Sequence, residues 1–134
     1  MSGQDRNKPL PYDPTTPVRE QVLASFKTSL RNLRTSYLDS YILHSPLPTM
    51  EETLEAWRVL GALQDEGNVR LIGVSNTYKV ATLQALAQER PVQVVQNRWY
   101  ERNDWDKDVV QYCKQNGIMY QCVESDSFFH EKCR

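Results

Sequence analysis

The hydrophobic pattern of this chain changes period repeatedly: a helical stripe gives way to a short apolar run, and the change recurs four times. Val18, Val22, Phe26, Leu30 and Leu33 recur at helical spacing behind Thr16-Pro17, which supplies an N-cap and a first-turn proline. Tyr37 to Leu43 is aromatic and apolar and stops at His44-Ser45-Pro46, which predicts a buried strand over 38–43. Thr49 with Glu52 reads as a capping box for a second helix along Leu54, Trp57, Leu60 and Leu63. Gly67 suits the left-handed position at its end. A strand over 69–74 follows, closed by Ser75-Asn76. Val80, Leu83 and Leu86 mark a short third helix, broken at Arg90-Pro91 before a strand over 92–96. The fourth helix, about Asp104 to Gln115 with Val109, Val110 and Cys113 inward, stops at Asn116-Gly117 before a strand over 118–121.

Strand starts about 20 to 30 residues apart are the size of βαβ crossovers, so the sheet is expected to be parallel. Right-handed crossovers leave two outcomes, an open doubly wound sheet or an arc of a (β/α)8 barrel. Neither GxGxxG nor GxxxxGK[ST] follows any strand, which favours the barrel. With 134 residues there is material for one core. Residues 1–17 are polar and proline-rich and read as an extended arm.

Sixteen basic and 17 acidic residues give a net charge of −1, no field for nucleic acid or an anionic membrane. No apolar run reaches the roughly 18 residues of a membrane span, and the first residues lack a signal-peptide core, so the expected location is cytoplasmic. Cys113, Cys122 and Cys133 are odd in number without a CxxC pair, which fits reduced thiols rather than a disulfide framework.

In parallel α/β folds the chemistry sits at the carboxyl ends of the strands. Here those ends carry His44-Ser45, Ser75-Asn76, Gln96-Asn97-Arg98 and Tyr120-Gln121-Cys122, amides and hydroxyls suited to pairing with a ligand amide or sugar. Each has a plainer reading: His44 as a satisfied structural group, Ser75-Asn76 as a helix cap. Gln96 inside an apolar strand needs a partner, because a buried unpaired amide costs about 1 to 3 kcal/mol. Asp39 poses the same question, or lies at the strand's lower end. Cys122, His130 and Cys133 offer only three candidate ligands, and no metal site is expected. Trp57, Trp99 and Trp105 read as packing residues, with Trp99 and Tyr100 also in reach of a ligand.

The blocks Tyr37-Leu38-Asp39-Ser40-Tyr41-Ile42-Leu43-His44-Ser45-Pro46, Ile72-Gly73-Val74-Ser75-Asn76, Val94-Val95-Gln96-Asn97-Arg98-Trp99-Tyr100 and Asn116-Gly117-Ile118 together resemble the aldo-keto reductase superfamily. The likeness runs from about Leu10 to Gln121. It implies a partial (β/α)8 TIM barrel over 1–121, its four parallel strands matching barrel strands four to seven, with a divergent tail over 122–134. It further implies NADPH-dependent reduction of aldehydes or ketones. Of the family's Asp, Tyr, Lys and His tetrad only the histidine maps, onto His44, with the role of orienting the carbonyl. Ser75, Asn76 and Gln96 match the residues that hold the nicotinamide carboxamide. Lys8, Tyr12 and Asp13 stand where the family keeps no catalytic group, and the aromatic residue that stacks on nicotinamide has no match near Gln121. The implied enzyme is therefore catalytically incomplete; the alternative is a non-catalytic binding or regulatory fragment. A slice of four strands also has open sheet edges, which favour self-association.

Overall fold

The computed structural model describes residues 15–99 and 101–123. Four helices and four strands alternate: α1 Val18–Leu33, β1 Leu38–Leu43, α2 Met50–Asp65, β2 Val69–Ser75, α3 Val80–Glu89, β3 Val94–Arg98, α4 Lys107–Gln115 and β4 Met119–Val123. The strands form one sheet in the order β1-β2-β3-β4, and every neighbouring pair is parallel. Each helix packs beside the next, so all four lie on one face. A doubly wound sheet reverses its strand order and puts helices on both faces. Sequential order with helices on one side is the arc of a (β/α)8 barrel, as expected.

Local chemistry accounts for the boundaries. The hydroxyl of Thr49 accepts from the Glu52 N–H while the Glu52 carboxylate accepts from the Thr49 N–H, the reciprocal box that starts α2. Gly67 takes φ of 78° just beyond it. Pro17, not Thr16, occupies the N-cap of α1. α4 begins three residues later than its pattern suggests: a 3₁₀ stretch over Glu101–Asp106 precedes it, with Asp104, Trp105 and Asp106 all at positive φ. β3 begins two residues late because the Gln93 side chain does part of the ladder's work. Its Oε1 accepts from the Ile72 N–H at 3.0 Å and from Gln64 Nε2 at 2.7 Å. β3 then runs on through Asn97 and Arg98, which pair with Cys122 and Val123, so β4 ends at Val123.

The core lies between helices and sheet. Trp57, Leu60, Ile72, Val74, Leu83, Val95 and Val109 are almost wholly removed from water, and the Trp57 indole N–H donates to the Arg90 carbonyl at 3.2 Å. Trp57 is thus a packing residue. Strand alternation puts Tyr41, Ile72, Val95 and Tyr120 toward the helices, so their neighbours Ile42, Gly73, Gln96 and Gln121 face the concave side. Gly73 is required there: a Cβ would lie 2.7 Å from Val94 Cβ, 2.9 Å from Ile42 Cδ1 and closer still to the Val94 carbonyl. Asp39 is exposed near the start of β1 and pairs with Arg70 at 3.5 Å.

The cysteines correct one expectation. Cys113 is free and buried, but Cys122 is disulfide-bonded. One core thiol leaves an even remainder, and a bridge needs matched geometry rather than CxxC spacing. No helix among the described residues is long and apolar enough to cross a membrane. His130 and Cys133 lie outside those residues, within which no His, Cys, Asp or Glu cluster forms a metal site.

Candidate functional site

The polar residues singled out at the strand ends meet in a single row. Register places Ser75 beside Gln96 and Gln96 beside Gln121. The Ser75 hydroxyl donates to the Gln96 carbonyl at 2.8 Å, and Gln96 Nε2 donates to Gln121 Oε1 at 2.6 Å. Asn76 leaves β2 with φ of 52°, a left-handed conformation that Asn tolerates better than most residues. Its N–H donates to the Gln96 carbonyl, and its Nδ2 reaches across to the carbonyl of His44 at 2.8 Å. Tyr78 O–H donates to Asn76 Oδ1 at 3.3 Å. His44, Asn76, Ser75, Gln96 and Gln121 therefore form a continuous chain of contacts along one mouth of the sheet.

Gln96 is not the buried amide that its apolar strand suggests. It faces the open concave side, half-exposed. The buried amide is its neighbour Asn97, 1% exposed on the helix side. Asn97 Oδ1 accepts from the Thr77 N–H at 2.9 Å, and its Nδ2 donates to the Thr77 carbonyl at 2.6 Å and to Asp106 Oδ2 at 2.7 Å. Tyr120 O–H donates to the same Asp106 oxygen at 2.7 Å. Burial raises the Asp106 pKa, with the hydrogen bonds from Asn97 and Tyr120 working against it. The Tyr120 pKa is raised too, by burial first and then by Asp106. Sequence reasoning missed this cluster. The available signal was alternation: if Gln96 faces the mouth, Asn97 must face the helices.

His44 is exposed at the end of β1 and lines a cleft of about 250 Å³ against Val22 and Ser25 of α1. That cleft takes in none of Ser75, Asn76 and Gln96, so the row of amides opens on the concave face instead. At the far end of the row, Gln121, Cys122 and Val123 close β4 without an aromatic residue, while Tyr120 turns to the helices. Trp99 packs on Trp105 with ring centroids 4.5 Å apart. Tyr100, Lys8, Tyr12 and Asp13 lie outside the described residues.

Comparison with known proteins bears on the fold and the family. The family model of the aldo/keto reductase family matches residues 14–125. Glyoxal reductase of Bacillus subtilis is 33% identical over 103 residues, covering 76% of this chain and 36% of the relative. A crystal structure of an aldo/keto reductase from Brucella melitensis superposes with a TM-score of 0.69 at 32% identity, over 78% of this chain and 41% of that one. An aldo-keto reductase of Bombyx mori, solved in complex with NADP, superposes at 0.67 and 25% identity, over 87% of this chain and 40% of that one. This chain thus spans a little over a third of its curated relative. The matched span includes all four strands and the whole row from His44 to Gln121, and the chain belongs to the aldo/keto reductase family.

Proposed function

We propose that this chain carries the carbonyl-orienting and carboxamide-holding part of an NADPH-dependent aldo/keto reductase site for a small aldehyde or ketone, and that alone it is catalytically incomplete. The observation that carries the reading is the unbroken contact row from His44 through Asn76, Ser75 and Gln96. Among the described residues Gln96 Oε1 accepts no hydrogen bond, and one Nε2 hydrogen remains after the bond to Gln121. An acceptor and a donor on one planar group match a carboxamide, so the residues fit nicotinamide. Asn76 Oδ1 adds an acceptor lone pair, and the Ser75 hydroxyl, its proton committed to Gln96, adds another. Bound NADPH would supply the hydride.

In this reading His44, exposed at the end of β1 and joined to the row through its backbone carbonyl, donates to a substrate carbonyl oxygen and fixes which face is presented. Protonation of that oxygen needs an acid, and no residue of this chain matches the family's tyrosine. General acid catalysis is typically worth about 100- to 10,000-fold. A net charge of −1 offers nucleic acid no field; the partner in this reading is a small carbonyl compound in the cytoplasm.

One observation favours a second reading, a non-catalytic binding fragment: β4 ends in Gln121, Cys122 and Val123, with no ring to stack on nicotinamide. Amide NMR titration with nicotinamide mononucleotide and with NADPH, beside an NADPH oxidation assay with glyoxal and methylglyoxal, separates the readings. Shifts at Asn76 and Gln96 that Gln96→Leu abolishes, without turnover, support an incomplete site. Turnover that His44→Ala removes overturns the incompleteness. The absence of any shift overturns the cofactor reading.

A further inference from the structure

The loop after β2 stays bound to β3 residue by residue. The Asn76 N–H donates to the Gln96 carbonyl at 3.1 Å, Thr77 is gripped by the Asn97 side chain, and the Arg98 N–H donates to the Tyr78 hydroxyl oxygen at 3.2 Å. The last two contacts put a side chain where backbone pairing would stand, and the final one brings a phenol to the amide row. Tyr78 is 40% exposed and lies outside the buried core. Its hydroxyl instead decides which way round the Asn76 carboxamide stands.

A carbonyl oxygen only accepts, so the Asn76 atom 2.8 Å from the His44 carbonyl is the nitrogen. The carboxamide oxygen is then turned to Tyr78, whose hydroxyl accepts from Arg98 and gives its own proton to Asn76 Oδ1 at 3.3 Å. The second Nδ2 hydrogen lies toward the Ser75 hydroxyl oxygen at 3.4 Å. Both Asn76 donors are thus engaged, and what remains for a ligand is a lone pair. The terminal torsion of an Asn side chain is broad and roughly two-fold. With one anchor on the His44 carbonyl the amide could turn about it, and the Tyr78 proton is the second anchor. Held at both, Asn76 and Ser75 offer acceptors, while Gln96 Nε2 keeps one donor among the described residues.

We propose that Tyr78 is a positioning residue that locks Asn76 as an acceptor and thereby makes the row select a carboxamide over a methyl ketone of the same shape; this rests on the cofactor reading given above. The test is NMR titration of the full 134-residue chain with nicotinamide mononucleotide and with its 3-acetylpyridine analogue, in which a methyl group replaces the amide NH2. The ketone keeps the oxygen that Gln96 Nε2 would bind and lacks the hydrogens that Asn76 Oδ1 and Ser75 Oγ would accept. The parent is expected to bind the amide about tenfold more tightly, near the upper value of one hydrogen bond. Tyr78→Phe keeps the ring, and Thr77 stays clamped to Asn97, so its circular dichroism spectrum and urea midpoint should match the parent's. It is expected to cut the preference to about threefold or less by weakening the amide and not the ketone. A Tyr78→Phe chain that binds both ligands more weakly by the same factor, or both as the parent does, overturns the proposal and leaves the cofactor reading standing. So does a parent chain that binds the two ligands alike. A parent chain that binds neither overturns the cofactor reading and this proposal with it.

Discussion

Asn97 pairs with Thr77 as a second strand would, its carboxamide oxygen on the Thr77 N–H at 2.9 Å and its carboxamide nitrogen on the Thr77 carbonyl at 2.6 Å. The loop that follows β2 is thereby fastened to β3 from below, one residue after Asn76. Replacing Asn97 by Ala strands two buried backbone groups, each worth about 1 to 3 kcal/mol. Urea denaturation of Asn97→Ala is expected to show a loss of about 2 to 4 kcal/mol. A loss under 1 kcal/mol would show that the clamp does not hold the loop.

Asp106 sets a pH dependence whose sign follows from its environment. Its folded pKa is raised above 3.8 by burial, so the native state binds its proton more tightly than the unfolded chain does. The stability this contributes is fully present below 3.8 and is lost as pH rises through the raised folded value. Both donors to Asp106 use Oδ2, so an Asn in its place can keep them with one oxygen. Asp106→Asn is expected to change stability by less than about 1 kcal/mol at neutral pH, and Asp106→Ala to cost about 2 to 4. Denaturation of parent and Asp106→Asn across acid pH should show the parent losing ground to the variant as pH rises; parallel curves would refute the linkage.

How much of this was legible depended on the range of the interactions. The Thr49–Glu52 box and the left-handed turn at Gly67 lie within a few residues of the elements they bound, and the pattern shows them directly. The start of β3 was not visible, because the Gln93 side chain stands in for a backbone acceptor to Ile72, 21 residues away. The site divided in the same way. Placing His44, Ser75, Asn76 and Gln96 at strand ends needed only the order of elements. Deciding which of the adjacent amides Gln96 and Asn97 is buried needed the facing of the strand, and that depends on helices packing on one side only. The disulfide at Cys122 was hidden for a related reason, since counting thiols does not reveal which one the core takes.

Cys113 provides a test of that core. It is free, fully buried, and its thiol is pushed up to about 11, by burial first and by the Asp106 charge second. The thiolate is the reactive form, so native Cys113 is expected to resist alkylation at mildly alkaline pH and to react only on unfolding. Mass spectrometry after iodoacetamide treatment, with and without urea, checks this. Rapid labelling of the native chain would place Cys113 at the surface.

Gly73 joins packing to site geometry most directly. It sits between Ile42 and Val94 on the concave face, two residues before Ser75, and its lack of a side chain lets β2 and β3 lie close where the polar row begins. A Cβ would press on the Val94 carbonyl, which is backbone held in the ladder and has nowhere to rotate. Relief requires parting the two strands, and overpacking of this kind typically costs about 1 to 3 kcal/mol. The strain would propagate along the same strands to the hydrogen bond between the Ser75 hydroxyl and the Gln96 carbonyl, 2.8 Å in the parent chain. Gly73→Ala is therefore expected to lose that much stability and to broaden or shift the amide resonances of Ser75, Asn76 and Gln96, while those of α1 stay in place. A variant with parent stability and an unchanged spectrum would mean that the close approach at Gly73 does not shape the row above it.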